Sequence, residues 1–300
     1  MLDVVYYPVS AALSLWHTAA AVVVGSGSLA WIAAVILLVM TLRAALFPVF
    51  LKQTRSQAAI RRLQPQLEAI RKKYPDDRQR QATETQKLYR EHGVSPFAGC
   101  LPLLGQAFVF LGLFHVLRSF DRTTAATHLP FTATPAPMSA EQNAATANYA
   151  FDAADVRSFL DADLFRAPLS STLTGHPTPA TAIVAITLTL VAAAATHFTA
   201  RTALARQESA GLPFMRTLSL WVFPAAALLG GVFLPVAVLL YFVTNNAWTF
   251  AQQRIVYRRI DREAAALGSP MTSPADSVRS AAAPRPGARP DRRKRRTPHP

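Results

Sequence analysis

The sequence is poor in the residues that soluble enzymes and secreted domains depend on. Its single cysteine, Cys100, excludes a disulfide framework and a cysteine-based metal site. Only 16% of the 300 residues are charged. The chain contains no G-x-x-x-x-G-K-[ST] motif for binding nucleotide phosphates and no pattern typical of a catalytic triad or a metal cluster. We therefore expect neither an enzyme nor a protein that holds a metal ion or a cofactor.

Long apolar blocks dominate the chain instead, and 51% of its residues are hydrophobic. A membrane-spanning helix needs about 20 consecutive, mainly apolar residues. Five blocks approach or reach this length, at about residues 29–50, 97–117, 180–199, 216–230 and 233–252. The last two blocks are separated by glycines and a proline, which favour a tight turn. The sequence predicts an all-α polytopic membrane protein with five transmembrane helices.

Two further segments have helical patterns of their own. Residues 1–28 contain an apolar stretch with tyrosine, tryptophan and histidine. This composition favours an interfacial helix, followed by a turn, rather than a further membrane span. Residues 52–94 are polar, but apolar residues recur among them at helical spacing and form one face. Pro75 interrupts this pattern, which predicts a charged hairpin of two helices, and Pro65 predicts a kink within the first helix.

The remaining segments read as loops and a tail. Residues 119–178 form a predicted external loop, within which about 152–163 has the pattern of a short amphipathic helix. Residues 253–300 form a basic tail that we expect to be disordered from about 268, because proline, alanine, serine and arginine dominate there.

Positive charge is distributed unequally between the predicted loops. Segment 52–94 carries eleven lysines and arginines against five acids, and segment 252–300 carries twelve against four. The loop 119–177 carries three against six. Because basic loops remain in the cytoplasm, we expect the N-terminus outside and the C-terminus inside. The net charge of +14 suits anionic lipid headgroups or ribosomal RNA.

Arg43 stands inside the first apolar block. An arginine at the centre of a span costs about 2.5–3.5 kcal/mol on insertion scales, and such a residue usually faces a wet cavity or a partner. No other predicted span has an Asp, Glu or Lys near its middle that could pair with it. Arg43 is therefore the leading candidate for a functional residue, although its side chain could also extend to the nearby interface.

Several stretches together resemble the YidC/Oxa/Alb family of membrane protein insertases, in its short five-span, actinobacterial-like form. They lie in the expected order and are Thr41-Leu-Arg-Ala-Ala-Leu-Phe-Pro48, Leu63-Gln-Pro-Gln-Leu67, Gly93-Val-Ser-Pro-Phe-Ala-Gly-Cys-Leu-Pro-Leu-Leu-Gly-Gln106 and Leu240-Tyr-Phe-Val-Thr-Asn-Asn246. Phe108 stands where many relatives have proline, which is a departure from the family pattern.

The resemblance implies a hydrophilic groove in the inner leaflet of a bacterial plasma membrane, open to the cytoplasm and closed toward the outside. Through this groove the protein would help to integrate newly made membrane proteins, alone or with the Sec translocon. The residues that match the family's groove are Arg43, Gln106, Tyr241, Asn245 and Trp248.

The resemblance also implies partners beyond the client proteins. The hairpin would contact clients and the targeting machinery. The polybasic end of the tail would contact the ribosome or anionic lipids, and its residues are Arg292, Arg293, Lys294, Arg295 and Arg296. No small-molecule substrate is expected. Two alternative functions are a small transporter or anion channel with Arg43 at its substrate site, and a membrane anchor for ribosomes.

Overall fold

A computed structural model describes residues 3–94, 101–123, 137–175, 177–205 and 217–266. The chain divides into two units, Met1–Arg254 and Ile255–Pro300, and the first contains almost all of the described residues. In the second unit, the exposed side chains of Arg259 and Glu263 form an ion pair across one helical turn at 3.2 Å.

Helices make up most of the described structure, as predicted. The first half of the chain contains α1 (Asp3–Val24), α2 (Ser28–Ala45), α3 (Phe47–Arg62), α4 (Gln64–Lys73), α5 (Arg78–Glu91) and α6 (Leu101–Arg118). The second half contains α7 (Ala140–Ala144), α8 (Ala153–Asp161), the strands β1 (Asp163–Leu164) and β2 (Ala167–Pro168), α9 (Pro179–Ala205), a π-helical segment (Leu218–Val222), α10 (Phe223–Gly231) and α11 (Val236–Ala266). The antiparallel β1–β2 hairpin is an addition to the all-α prediction.

Three described helices are long and apolar enough to cross a membrane, namely α1, α2 and α9. Two shorter apolar helical stretches lie at Val109–Arg118 and Leu218–Gly231. The chain is thus an all-α polytopic membrane protein, and the count of five spans stays a prediction.

The helix bounds differ from the predicted blocks in two places. Helix α2 ends at Ala45 rather than near residue 50, and α3 begins two residues later with Pro48 in its first turn. Proline cannot donate a backbone hydrogen bond to the preceding turn, so α2 ends here and α3 begins. Helix α11 continues to Ala266, beyond the predicted end near 252, because its polar second half keeps a helical pattern.

Residues 137–175 fold into a cap over one end of the helices, and we call this end the capped end. The backbone N–H groups of Val236 and Ala237, in the first turn of α11, donate to the carbonyls of Ser171 and Leu169 at 3.0 and 2.9 Å. The indole N–H of Trp31 donates to Ser158 Oγ at 3.0 Å. These bonds join the cap to α2 and α11, so residues 137–175 of the predicted loop pack on the helices.

An aromatic cluster fills the space beneath the cap. Trp31, Phe120, Phe151 and Phe159 are each at most 1% exposed, and their ring centroids lie 4.1–5.6 Å apart in the contacting pairs. Buried aromatic side chains contribute large apolar areas together with edge and stacking interactions. The cluster therefore closes the capped end with a dry core.

Polar side chains also join the cap to α6 and to the residues that follow it. The guanidinium of Arg122 donates to Asn143 Oδ1 at 2.9 Å and to the carbonyl of Thr146 at 2.9 Å. Burial raises the pKa of Tyr149 to about 12, and its hydroxyl lies 2.6 Å from His115 Nε2. The predicted amphipathic helix is α8, which begins at an Asp152 N-cap and buries Phe159.

Helix α1 lies at the capped end along most of its length. Its Tyr6 ring stacks on His115 with a centroid separation of 4.0 Å, Ser10 Oγ accepts from the Ala150 N–H, and His17 stacks on Trp31. Both ends of the helix lie beside the cap or beside the capped ends of α2 and α6. The helix has the length of a span, and its interfacial position stays a prediction.

The polar segment 52–94 forms three helices rather than the two predicted. Helix α3 ends at Arg62, and α4 restarts with Pro65 in its first turn, where the sequence predicted a kink. The buried side chains of Leu63 and Leu67 pack against Leu88 of α5. The α4–α5 pair is therefore a helical hairpin with the apolar face that the spacing predicted.

Candidate functional site

Arg43 lies in the last turn of α2, at the end away from the cap. It follows Ser28 by fifteen positions, so at 1.5 Å per residue it lies about 22 Å along the helix from the capped end. Its side chain is half-buried among the helices. The buried residues Leu38 and Val39 of α2 lie between it and the aromatic cluster. The path from Arg43 to the capped end is therefore packed with apolar side chains.

Asn245 of α11 holds the guanidinium in place. Its side-chain oxygen accepts from Arg43 Nε at 2.8 Å and from Nη2 at 2.6 Å. An arginine side chain has five N–H groups, so three remain after these two bonds. Among the described residues no carboxylate lies within salt-bridge distance of Arg43 and no other acceptor binds it. The charge is therefore oriented, and no carboxylate of the described residues neutralises it.

A cavity of about 50 Å³ opens beside the guanidinium. This volume leaves room for a few water molecules. The cavity is lined by three polar and three apolar residues, which are Arg43, Gln106, Gln252, Leu46, Val49 and Phe50. The apolar side is contributed by the break after α2 and the first turn of α3. The result is a small amphipathic cavity at the uncapped end of α2.

The five residues predicted to line the groove separate into two groups. Arg43 and Gln106 line the cavity, whereas Asn245 lies behind Arg43 as its hydrogen-bond partner. Tyr241 is 2% exposed, and its hydroxyl accepts from Gln106 Nε2 at 2.7 Å. Trp248 donates from its indole N–H to Gln252 Oε1 at 2.7 Å. Three of the five thus position the polar groups that line the cavity.

Gln252 is the cavity residue that the sequence reasoning did not select. It is 5% exposed and reaches the cavity from α11. It follows Asn245 by seven residues, which is two helical turns, so both residues lie on the same face of α11. The recurrence of Tyr241, Asn245, Trp248 and Gln252 at helical spacing was the signal that could have identified it.

A second polar contact holds α11 against α9. Thr196 Oγ1 donates to Asn246 Oδ1 at 3.3 Å, and Thr202 Oγ1 donates to Gln253 Oε1 at 3.2 Å. These residues of α11 are the immediate neighbours of Asn245 and Gln252 along the chain. Helix α11 is therefore fixed on one side to Arg43 and on the other side to α9.

The segment before α10 is held by a histidine. In an α-helix the carbonyl of Leu220 would accept from the backbone of residue 224, but Pro224 has no N–H. His197 Nδ1 of α9 lies 2.9 Å from this carbonyl, and a carbonyl can only accept. The Nδ1 atom therefore carries the proton and supplies a donor at the position where proline lacks one.

The polybasic residues 292–296 lie outside the described residues, as does the whole segment from 267 onward. Within the described residues, no group of three or more His, Cys, Asp or Glu side chains is placed to hold a metal ion. The candidate site is thus the Arg43 cavity and its supporting layer.

Comparison with known proteins shows the family of the chain. A family model described as 60Kd inner membrane protein matches residues 23–263, which include the cavity and both polar contacts of α11. The chain belongs to this family. It is 44% identical over 306 residues to a protein of Mycolicibacterium paratuberculosis named membrane protein insertase YidC, with 97% of this chain and 84% of that protein covered.

Two further relatives are similar over most of the chain. Proteins with the same name from Mycobacterium leprae and Streptomyces avermitilis are 43% and 30% identical, over 96% and 84% of this chain. The alignments cover 77% and 57% of those two proteins. The chain is accordingly a multi-pass protein of a bacterial membrane, as the resemblance implied.

Proposed function

We propose that this chain inserts newly made membrane proteins by giving their polar tails a positively charged, wet position partway across the membrane. The observation that carries the proposal is the Arg43 guanidinium, which is oriented by Asn245, keeps three N–H groups free of described acceptors and borders a cavity. A client's hydrophobic segment would then move into lipid, where burial of its apolar surface makes the step favourable.

The position of Arg43 determines how much of the barrier it removes. The hydrocarbon core is about 30 Å thick, and Arg43 lies about 22 Å from the capped end of α2. If the capped end faces the outside, with Ser28 at the outer boundary of the hydrocarbon and α2 along the bilayer normal, a tail that reaches Arg43 from the cytoplasm has crossed about 8 Å of the hydrocarbon. The apolar layer between Arg43 and the cap would keep the cavity closed to the outside.

The distribution of charge supports this orientation. The cap belongs to the loop 119–177, with three basic and six acidic residues, whereas the hairpin segment 52–94 is strongly basic. Basic segments stay in the cytoplasm. The proposal therefore puts the cap and the N-terminus outside and the hairpin, the cavity and the C-terminus inside.

We also propose partners for the two cytoplasmic segments. The α4–α5 hairpin has an exposed, charged surface around a small apolar core, which suits contact with clients and with the targeting machinery or the Sec translocon. The run Arg292–Arg296 suits ribosomal RNA or anionic lipids. No step in this scheme consumes a nucleotide, and no small molecule is a substrate.

The test is insertion into proteoliposomes that contain only this protein. A single-span client with a short acidic tail is added, and the tail that becomes protected from external protease is measured. We expect protection with the wild type, and loss of most of it with Arg43→Ala. Lys52→Ala is the matched control, because it removes one exposed positive charge from α3 without touching the cavity.

Either of two results would contradict the proposal. Equal protection with wild type and Arg43→Ala would show that the charge at the cavity is dispensable. A wild type that gives no more protection than empty liposomes, with clients of several tail lengths, would show that this chain does not insert proteins by itself.

A further inference from the structure

The turn of the β1–β2 hairpin has an unusual conformation for its residues. Phe165 and Arg166, the two residues between the strands, have φ angles of 51° and 67°. Two-residue hairpin turns of this kind favour asparagine and glycine, because other L-residues are strained at positive φ. Phe165 is nevertheless 82% exposed, and Arg166 is exposed as well. Neither side chain compensates the strain by packing in the protein core.

Hydrogen bonds from Asp163 hold the turn in this conformation. Its Oδ2 accepts from the Arg166 N–H at 2.6 Å, and its Oδ1 accepts from the Ser28 hydroxyl at 2.9 Å. The Asp163 N–H in turn donates to Ser28 Oγ at 3.0 Å. The turn is thus built rigidly on the first residue of α2, and the conformation does not depend on the side chains at its tip.

The hairpin lies beside α2 and α9, which are candidate membrane spans, and beside the first turn of α11. Ser28 is the first residue of α2, β2 packs against α9, and the chain just after β2 accepts a hydrogen bond from Ala237 in the first turn of α11. Leu29, the neighbour of Ser28, is 64% exposed. The tip is therefore adjacent to the exposed apolar start of α2, a candidate membrane span.

We propose that Phe165 and Arg166 contact phospholipids at the membrane surface on the capped side. Phenylalanine, like tryptophan and leucine, can insert its side chain about 5–10 Å into the boundary between headgroups and acyl chains. An adjacent arginine at this level can bind the lipid phosphate through several N–H groups while its aliphatic part stays in apolar surroundings. The contact would fix the height of the cap relative to the bilayer. This inference goes beyond insertion and does not depend on the role of Arg43.

The first test measures the depth of the tip in a bilayer. In a Cys100→Ser background, Phe165→Cys carries a nitroxide label, and Glu141→Cys on the exposed surface of α7 carries the same label as the control. The proteins are placed in vesicles of phosphatidylcholine and phosphatidylglycerol. We expect the label at 165 to collide more with oxygen than with a water-soluble nickel chelate, and the label at 141 to show the reverse.

Two outcomes of the depth measurement overturn the proposal. A label at 165 that is as accessible to the nickel chelate as the label at 141 places the tip in water. A label at 165 that is shielded from both reagents places the tip against protein, such as a second copy of the chain.

The second test separates the strain at Arg166 from its contact with lipid. Arg166→Gly removes the strain, so the melting temperature in neutral detergent should rise by a few degrees. In phosphatidylglycerol nanodiscs the same change also removes the phosphate contact, so the rise should be smaller or reversed. An equal rise in both media would overturn the role of Arg166.

Discussion

Replacing Asn245 with aspartate should inactivate the site while leaving Arg43 in place. Asparagine and aspartate have nearly the same shape, and Asn245 Oδ1 already accepts two hydrogen bonds from the guanidinium at 2.6 and 2.8 Å. The substitution therefore converts a neutral partner into an ion-pair partner with little change in geometry. The positive charge that we propose for client tails would then be neutralised from within the protein.

The size of the effect follows from the distance between the charges. Two opposite charges about 4 Å apart attract by about 4 kcal/mol at the effective dielectric constant found near protein surfaces. A factor of ten corresponds to about 1.4 kcal/mol. The introduced carboxylate can therefore reduce the occupancy of Arg43 by a client carboxylate by up to about a thousandfold. Even with partial screening, we expect insertion of acidic-tailed clients to fall at least about tenfold.

The assay compares two substitutions and two clients in proteoliposomes. Asn245→Leu removes the hydrogen bonds to Arg43 but leaves its charge unpaired, so it should reduce insertion only moderately. Asn245→Asp should strongly reduce insertion of a client with an acidic tail and have a smaller effect on a neutral-tailed client. Equal losses for Asn245→Asp and Asn245→Leu, with no dependence on the tail, would refute the reasoning.

Three further predictions concern stability. Gly231→Ala should destabilise the protein by about 1–3 kcal/mol, because its Cβ would clash with the side chain of Thr189 on α9. Gly230→Ala meets no atom within 4 Å and should be harmless; thermal melting in detergent compares the two. His197→Phe should lower the melting temperature, because it removes the hydrogen bond to the Leu220 carbonyl. In a Pro224→Ala background, which restores the missing N–H, His197→Phe should lower the melting temperature less. Additive effects of the two substitutions would contradict the proposal that His197 replaces the donor that proline lacks. The pKa of Tyr149 is raised to about 12, so the stability that its neutral form contributes is fully present below pH 10 and is lost as the pH rises through 12. Tyr149→Phe should therefore make the melting temperature decline less steeply between pH 10 and pH 12.

The central residue of the site was recognisable because its chemistry conflicts with its surroundings. Arg43 is a charge within an apolar block, and no packing requirement explains a charge there. The polar residues of α11 were recognisable for the same reason. The partners of these α11 residues could not be predicted, because sequence spacing shows which side of a helix a residue occupies but not which neighbouring helix it contacts. Tyr241 and Asn245 lie on one face, yet one bonds to α6 and the other to α2.

The cap was the least predictable part of the fold. Its residues read as a loop rich in alanine, threonine and proline, with one short helix. Its order comes from pairs that are far apart in sequence, such as Ser28 with Asp163 and Trp31 with Ser158. No local pattern reports such pairs. The π-helical segment was unpredictable for a similar reason, since His197, which contacts it, belongs to another helix.

Reversing the charge at position 43 tests the central claim most directly. Wild type, Arg43→Ala and Arg43→Glu are compared in proteoliposomes with clients that differ only in having an acidic, neutral or basic tail. If the cavity acts through its charge, the wild type should favour acidic tails, Arg43→Ala should show little preference, and Arg43→Glu should favour basic tails. The same order of preference in all three proteins would contradict the account, because tail selection would then not depend on the charge at this position.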